Sequence, residues 1–424
     1  MARPVIGLAL LLGALLAANL ALRQGHHPNS LQYLRMAATH EAYTDSWEPM
    51  AHALTAWDEG RPVYQTVYFD ERRQFLYPLS SLLVPMALRP FAHGDVAIAR
   101  ALNSLGLIAT VLFALCTMTL VTRWNTWRDD GVLRHDATFL LGMFLVAGIE
   151  ALNFPLQMNY LLGQAQTFVN LGLAAALVAW SANRPIAAGV AIGAACLVKP
   201  HLALFLLWGL ARREWRFVAG LGATIAGGIV AALWVFGLAQ NLAYWSVLSD
   251  VGQRGSALYA NQSVNGLLNR LVLSPEYRHA HAGEFPPPHA VVLVGTVVTS
   301  LIFLGAAFVI PRRRRFSNGS LDFGIMALTA TMAVPLAWDH NYAVLLPIVA
   351  VAAGSALDRR PVAAVALVIL AGVILVTGTL WEPLLACDAP PGNVLQSYVL
   401  AGATLALVVM YQLGATAAPI QPAD

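Results

Sequence analysis

Lys199 is the sole lysine among 25 lysines and arginines, and it lies within the apolar stretch AIGAACLVKPHLALF. Holding an ammonium at membrane depth costs about 2.5–3.5 kcal/mol on the lenient insertion scale, so such a charge faces a polar recess or an anion, or else snorkels from a short helix end. A phosphate suits a compact point charge, and Pro200, which breaks the chain behind the lysine, can free backbone N–H groups for it. The segment YTDSWEPMAHALTAWDEGRPVY reads as a helix opening at Thr44 or Asp45 and ending at Gly60-Arg61-Pro62. It offers Asp45, Glu48, Asp58 and Glu59 as carboxylates; Asp45 equally suits a helix N-cap, and Asp58 and Glu59 look solvated. Arg72 and Arg73 stand just ahead of Phe75-Leu76-Tyr77-Pro78, where a cation can hold a lipid headgroup. In NYLLGQAQTFVN, Asn159, Gln164, Gln166 and Asn170 set amides at the start of an apolar run, as glue between helices or as partners for a ligand. Asn261, Gln262, Ser263 and Asn265 form a polar knot that contains a glycosylation sequon. Trp338-Asp339-His340 brings a carboxylate and an imidazole to a boundary between two apolar runs, where a hydrogen-bonded turn is the bland alternative.

The elements that position these groups must lie in a membrane. Of 424 residues 58% are apolar and 11% charged, with a mean hydropathy of +0.63. Soluble chains carry about 25% charge, so the apolar excess faces lipid. A net charge of +3, split into short arginine clusters, reads as topology signals and excludes nucleic acid as a partner. Cys116, Cys196 and Cys387 show no CxxC spacing, and neither a disulfide framework nor a metal site is implied.

Apolar segments at 4–22, 95–122, 137–154, 160–180, 186–198, 200–211, 217–238, 290–310, 321–337, 341–357, 362–380 and 394–414 predict an all-α polytopic membrane protein with about twelve crossings, one integral-membrane domain over 1–424. Arginines at 3, 123, 128, 134, 184, 212, 213, 216, 312 to 315, 359 and 360 mark cytoplasmic loops by the positive-inside rule. Both termini then lie inside, the first span being retained rather than cleaved as a signal peptide, and residues 23–76, 239–289 and 381–393 face outward. The loops 23–76 and 239–289 are too short for separate domains but can carry short amphipathic helices over a site at the membrane's outer edge. Residues 77–91, with Pro78, Pro85 and Pro90, are too short to cross and read as re-entrant or interfacial. The short segments 186–198 and 200–211 form a hairpin that turns at Lys199-Pro200.

This topology brings Asp45, Arg72, Arg73, Gln164, Lys199, Asn261 to Asn265 and His340 to one face. A carboxylate base, cations for a leaving phosphate and amides for a hydroxyl-rich ligand together suggest group transfer from a lipid-linked phosphate.

Tyr77-Pro78, Leu162-Gly163-Gln164, the run from Ala188 to Lys199-Pro200, Asn261-Gln262-Ser263-x-Asn265-Gly266 and Trp338-x-His340 resemble glycosyltransferase family 87, from the first span to about residue 350. The resemblance implies a GT-C-type helix bundle similar to polyprenol-phosphate-mannose-dependent α-mannosyltransferases. It implies inverting, metal-independent transfer of a hexose, most often mannose, from a polyprenyl monophosphate to a glycolipid or glycan hydroxyl at the outer face of the cytoplasmic membrane, with no cofactor. Under it Asp45 is the catalytic base, Lys199, Arg72, Arg73 and His340 serve the donor phosphate, and Gln164, Asn261, Gln262, Asn265, Tyr77 and Trp338 serve sugar or acceptor. Another lipid-linked sugar, such as a pentose, is the nearest alternative. A transporter or flippase would show inverted repeats and charges on both sides of the midplane, and the sequence has neither. A non-enzymatic scaffold leaves the polar set unexplained.

Overall fold

The computed structural model describes residues 35–36, 43–128, 147–148, 150–151, 153–281, 283–314, 316, 319–356, 384 and 386–414. The expected spans 4–22 and 362–380, most of 137–154, and Arg3, Arg134, Arg315, Arg359 and Arg360 lie outside them. Every regular element among the described residues is helical, and Asn261 with Trp338 makes an isolated antiparallel bridge.

Helix α1 (Trp47–Asp58) buries Trp47, Met50 and Leu54, spaced to share one face. They join Tyr64, Phe75, Leu79 and Leu82 in a small core. A 3-10 turn (Leu79–Leu82) leads into α2 (Leu83–Leu88), and the two together form a ten-residue apolar stretch about 15 Å long, half a bilayer core. The Ser80 hydroxyl donates to the Leu197 carbonyl at 2.6 Å. Arg89, just past α2, takes both oxygens of Asp58 at 2.7 and 2.9 Å. Asp58 is thereby occupied in a partly exposed ion pair that ties the ends of α1 and α2 together.

Then come α3 (Asp95–Arg128), α4 (Phe154–Leu161), α5 (Gln166–Ser181), α6 (Pro185–Cys196), a 3-10 turn (Pro200–Ala203), α7 (Leu204–Arg212) and α8 (Trp215–Arg254). The chain continues through α9 (Val264–Val272), α10 (Pro275–Ala280), α11 (Ala290–Arg313), α12 (Gly319–Met332), a 3-10 turn (Asp339–Val344), α13 (Leu345–Ala356), a 3-10 turn (Gly392–Ser397) and α14 (Tyr398–Gly414).

Among the described residues four stretches are long and apolar enough to cross a membrane: Asp95–Thr122, Trp215–Arg254, Ala290–Arg313 and Gly392–Gly414. The other expected spans within the described residues are shorter helices, α5 being 16 residues, α6 12, α7 9, α12 14 and α13 12. Their apolar runs are divided by non-helical turns at Gly163, Lys199 and Trp338, which are the segments that carry the polar groups.

Helix α8 has 40 residues and would run about 60 Å if straight, twice the hydrocarbon thickness. It does not run straight. Gly237 takes φ 74° and ψ 165°, a conformation open to glycine alone, and redirects the chain. Val247 beyond the bend is buried with Phe236 in the same core as α1, the Tyr244 hydroxyl donates to the Leu76 carbonyl at 3.0 Å, and Tyr68 donates to Asp250 at 2.7 Å. The segment expected as a second outer loop, 239–289, therefore opens as a helix that braces the first.

A second, larger core joins α5, α6, α7, α8, α12, α13 and α14, with Trp180, Phe205, Trp208, Phe217 and Phe323 in mutual ring contact. Arg212, read from sequence as a topology signal, is also a lock at this core's edge. It pairs with Asp322 at 2.7 Å and donates to the Ala307 and Phe308 carbonyls, both at 3.1 Å. Saturated in this way, the buried pair joins α7, α11 and α12 without leaving a charge unmet.

Candidate functional site

Asp45 reaches its place through the backbone. The Tyr43, Asp45 and Ser46 N–H groups donate to the carbonyls of Leu161, Leu162 and Gly163 at 2.7, 2.9 and 3.2 Å, laying the start of the first loop along the turn between α4 and α5. Gly163 is required there. Its φ is 65°, and a Cβ would lie 2.0 Å from the Tyr43 carbonyl oxygen. The Leu162-Gly163-Gln164 step is thus the seat that delivers Asp45.

The N-cap reading of Asp45 is not what the structure shows. Helix α1 has no side-chain cap, and the Asp45 carboxylate instead accepts from the Gln164 amide nitrogen. Ser46 donates to the Gln164 Oε1 at 3.0 Å, accepts from the Ala165 N–H at 3.0 Å and lies 2.8 Å from the Tyr77 hydroxyl. Asp45 itself is open to solvent, but the protein packed around it strips enough water to raise its carboxyl above the ordinary 3.8. The nearby His340 and the Gln164 hydrogen bond pull the other way, and Glu48 adds a small upward push.

His340 sits on the 3-10 turn that follows Trp338. Its Nδ1 lies 3.4 Å from Asp339 Oδ1, which also accepts the His340 N–H at 2.7 Å, so Asp339 is engaged in holding the turn. Among the described residues His340 Nε2 is buried with no partner, a polar atom left for a ligand. Asn159 donates to the His340 carbonyl at 2.7 Å, and its own carbonyl accepts the Gln164 N–H at 2.9 Å, so one asparagine links the two halves of the site. Lys199 caps the 3-10 turn at Pro200, and its ammonium donates to Asn341 Oδ1 at 3.3 Å. Among the described residues it has no carboxylate partner, and His201 lies beside it. Asp45, Gln164 and Tyr77 are thus joined by hydrogen bonds through Ser46, and the His340 turn, with Lys199 on Asn341, is tied to them through Asn159.

Other expected site residues stand apart. Arg73 is held by Glu48 and by Glu71, the latter at 3.1 Å, and Arg72 is exposed with φ 54°. Asn261 and Gln262 of the polar knot are engaged chiefly by backbone. Asn261 donates to the Ser256 and Pro335 carbonyls, both at 3.0 Å, and accepts from the Ala337 N–H at 3.1 Å. Gln262 donates to the Tyr259 and Gln396 carbonyls at 2.6 and 2.7 Å, and its own carbonyl accepts the Tyr342 hydroxyl at 2.6 Å. Asn265 accepts from the Ser256 N–H and from Asn269 at 3.2 and 2.8 Å. Buried Arg270 donates to the Leu258 and Asn261 carbonyls, both at 3.0 Å. Asn261, Gln262 and Arg270 hold the bridge that clamps Trp338 and so aim the His340 turn, whereas Asn265 Nδ2 is buried without a partner among the described residues.

The sequence between Tyr77 and Trp338 matches the model of glycosyltransferase family 87 over residues 75–338. The chain belongs to glycosyltransferase family 87. It is a membrane glycosyltransferase. A Mycolicibacterium smegmatis protein named polyprenol-phosphate-mannose-dependent alpha-(1-2)-phosphatidylinositol mannoside mannosyltransferase is 28% identical over 352 residues, which is 78% of this chain and 73% of that one. The family match takes in Tyr77, Gln164, Lys199 and the knot and stops at Trp338. Asp45 and His340 lie outside it and are placed by the geometry. Ser46, Asn159, His201 and Asn341 stand beside the candidate residues. Only adjacency marked three of them in the sequence: Ser46 follows Asp45, Asn341 follows His340, and His201 stands two residues after Lys199. Asn159 stood in the amide set already, without an assigned partner.

Proposed function

We propose that the chain transfers a hexose, mannose first among candidates, from a polyprenyl-monophosphate sugar to a hydroxyl of a glycolipid or glycan at the outer face of the cytoplasmic membrane, with inversion at the transferred carbon. The observation that carries this reading is the placing of a carboxylate, Asp45, near a buried imidazole with an unmatched nitrogen, His340, whose neighbour Asn341 holds the ammonium of Lys199. The printed name of the Mycolicibacterium smegmatis relative supports the donor and a phosphoinositol-mannoside-like acceptor.

In this reading the acceptor oxygen attacks the anomeric carbon as the bond to the phosphate oxygen breaks, and the electron pair leaves with the polyprenyl phosphate. Asp45 takes the acceptor's proton. Gln164 occupies Oδ2, which leaves Oδ1 for that proton. Lys199 and His340 balance the charge that grows on the phosphate. Arg72 and Arg73, expected to share that task, are directed elsewhere: Arg73 is neutralised by two glutamates and Arg72 faces solvent. The acid strength of Asp45 suits its part, since a carboxyl raised above its ordinary value is a stronger base once ionised.

Sealed vesicles of both orientations test the function and the face together. Given a short-chain prenyl phosphomannose and an impermeant phosphoinositol mannoside, right-side-out vesicles containing the protein should lengthen the acceptor by one hexose, and inverted vesicles should do so only after permeabilisation. Transfer by intact inverted vesicles alone would move residues 23–76 and 239–289 to the cytoplasmic side and overturn the proposal.

A further inference from the structure

We propose that Ser46 is a positioning residue for the base: by donating to the Gln164 carbonyl oxygen it holds that amide with its NH2 on Asp45, in a chain of hydrogen bonds that runs from the Tyr77 hydroxyl to the Asp45 carboxylate. The inference rests on the transferase reading, in which Asp45 is the base.

Proton counting fixes the direction. The Ala165 N–H can only donate, so it fills one lone pair of Ser46 Oγ at 3.0 Å. The Ser46 hydroxyl has one proton and one lone pair left for two further neighbours, Gln164 at 3.0 Å and Tyr77 at 2.8 Å. With Asp45 ionised, Gln164 must present its NH2 to the carboxylate, so its carbonyl oxygen faces Ser46 and takes the serine proton. The Tyr77 hydroxyl must then donate to Ser46. In the reverse arrangement the Gln164 carbonyl would face a carboxylate oxygen, two acceptors in contact, unless Asp45 held a proton. With the orientation set by the ionised carboxylate, the bond from Ser46 holds the Gln164 amide in place and polarises its NH2 toward Asp45, which favours the ionised, base-competent form.

The ends of the chain are pinned. The Ser46 N–H donates to the Gly163 carbonyl at 3.2 Å, and Ser46 is 1% exposed. The Tyr77 carbonyl accepts the Tyr64 hydroxyl at 2.9 Å, and Tyr64 stacks on Phe75 with ring centroids 5.5 Å apart. The charged and titratable groups that face Asp45 are Glu48 on its own helix, His340 on the opposing turn and the Tyr77 phenol. Of these Glu48 is engaged by Arg73, and none contacts the Gln164 amide in place of Ser46.

The test is an infrared titration of the purified full chain in nanodiscs, with the Asp45 carboxyl band identified by its loss in Asp45→Asn. In Ser46→Ala the midpoint should rise by about one pH unit, the size of a weakened hydrogen bond to a carboxylate, while Ser46→Thr keeps the wild-type midpoint. In a Gln164→Ala background, Ser46→Ala should add nothing, since its effect passes through the amide. Should Ser46→Ala not fold, Ser46→Cys, a near match in volume with a weak S–H donor, should give a smaller rise. An unmoved midpoint in folded Ser46→Ala or Ser46→Cys, or an undiminished shift in the Gln164→Ala background, would overturn the proposal. Because the readout is the carboxyl band, it stands apart from the function: a shift in a protein that transfers no sugar keeps the positioning role and sinks the transferase reading.

Discussion

Asp45→Asn protein is expected to fold, insert and bind the lipid-linked sugar, yet to lose about 10²- to 10⁴-fold in kcat, the contribution of a general base. The substitution is well matched to the site. Asparagine keeps an oxygen for the Gln164 NH2 and nearly the same volume, and helix α1 loses no cap because Asp45 provides none. Stability should not suffer either. Burial lifts the folded carboxyl above the unfolded value near 3.8, so ionising Asp45 disfavours the folded state, and this penalty grows as pH rises from the unfolded to the folded value. An uncharged asparagine escapes it, and the variant should melt no lower than wild type at neutral pH. The same shift sets the pH profile: kcat/KM should rise with pH through an acid limb whose midpoint is above 3.8. Asp339→Asn is the matched control. Asp339 holds the His340 turn through the backbone N–H at 2.7 Å, a bond that an asparagine oxygen can still accept, so most of the turnover should survive. Turnover retained in Asp45→Asn and lost in Asp339→Asn would transfer the base role to Asp339.

Lys199→Gln should raise KM for the polyprenyl-phosphate donor about 10- to 100-fold, the range for a lost charged hydrogen bond to phosphate, with little change in the melting temperature. Among the described residues the ammonium donates only to the neutral Asn341, so its removal leaves no carboxylate among them unpaired. Lys199→Arg should fail as well, because a planar fork does not replace a compact point charge against the same asparagine. Wild-type donor kinetics in Lys199→Gln would mean that the lysine only snorkels.

Much of the site can be read from the sequence because its members break the local pattern: an ammonium in an apolar stretch, amides ahead of a span, an imidazole between two apolar runs. Asp45, Gln164, Lys199 and His340 are visible on that ground, and hydrogen bonds through Asn159 and Asn341 connect their segments. What a chain cannot display is whether a polar group has already spent its hydrogen-bonding capacity. Asn261 and Gln262 look as available as Gln164, yet both are engaged by main chain brought from residues far away in sequence. Arg73 looks as available as Lys199 until Glu48 folds against it. Ser46 is invisible for the converse reason, since serine beside a helix start is ordinary and its partners Gln164 and Tyr77 are 118 and 31 residues away. The same limit applies to the fold. Hydropathy locates the apolar runs, but the bend at Gly237 and the non-helical turns at Gly163 and Lys199 shorten or redirect helices that composition alone reads as simple crossings.

The central claim is that the sugar arrives on a polyprenyl monophosphate and leaves through the Asp45 site. The direct measurement is radiolabelled mannose transfer by the purified full chain in liposomes, with polyprenyl phosphomannose and nucleotide-linked mannose offered separately to a phosphoinositol mannoside acceptor. Labelled acceptor should form with the lipid-linked donor, with inverted anomeric configuration, and should be lost with Asp45→Asn; label transferred from the nucleotide sugar with equal efficiency, or undiminished by Asp45→Asn, would contradict the account.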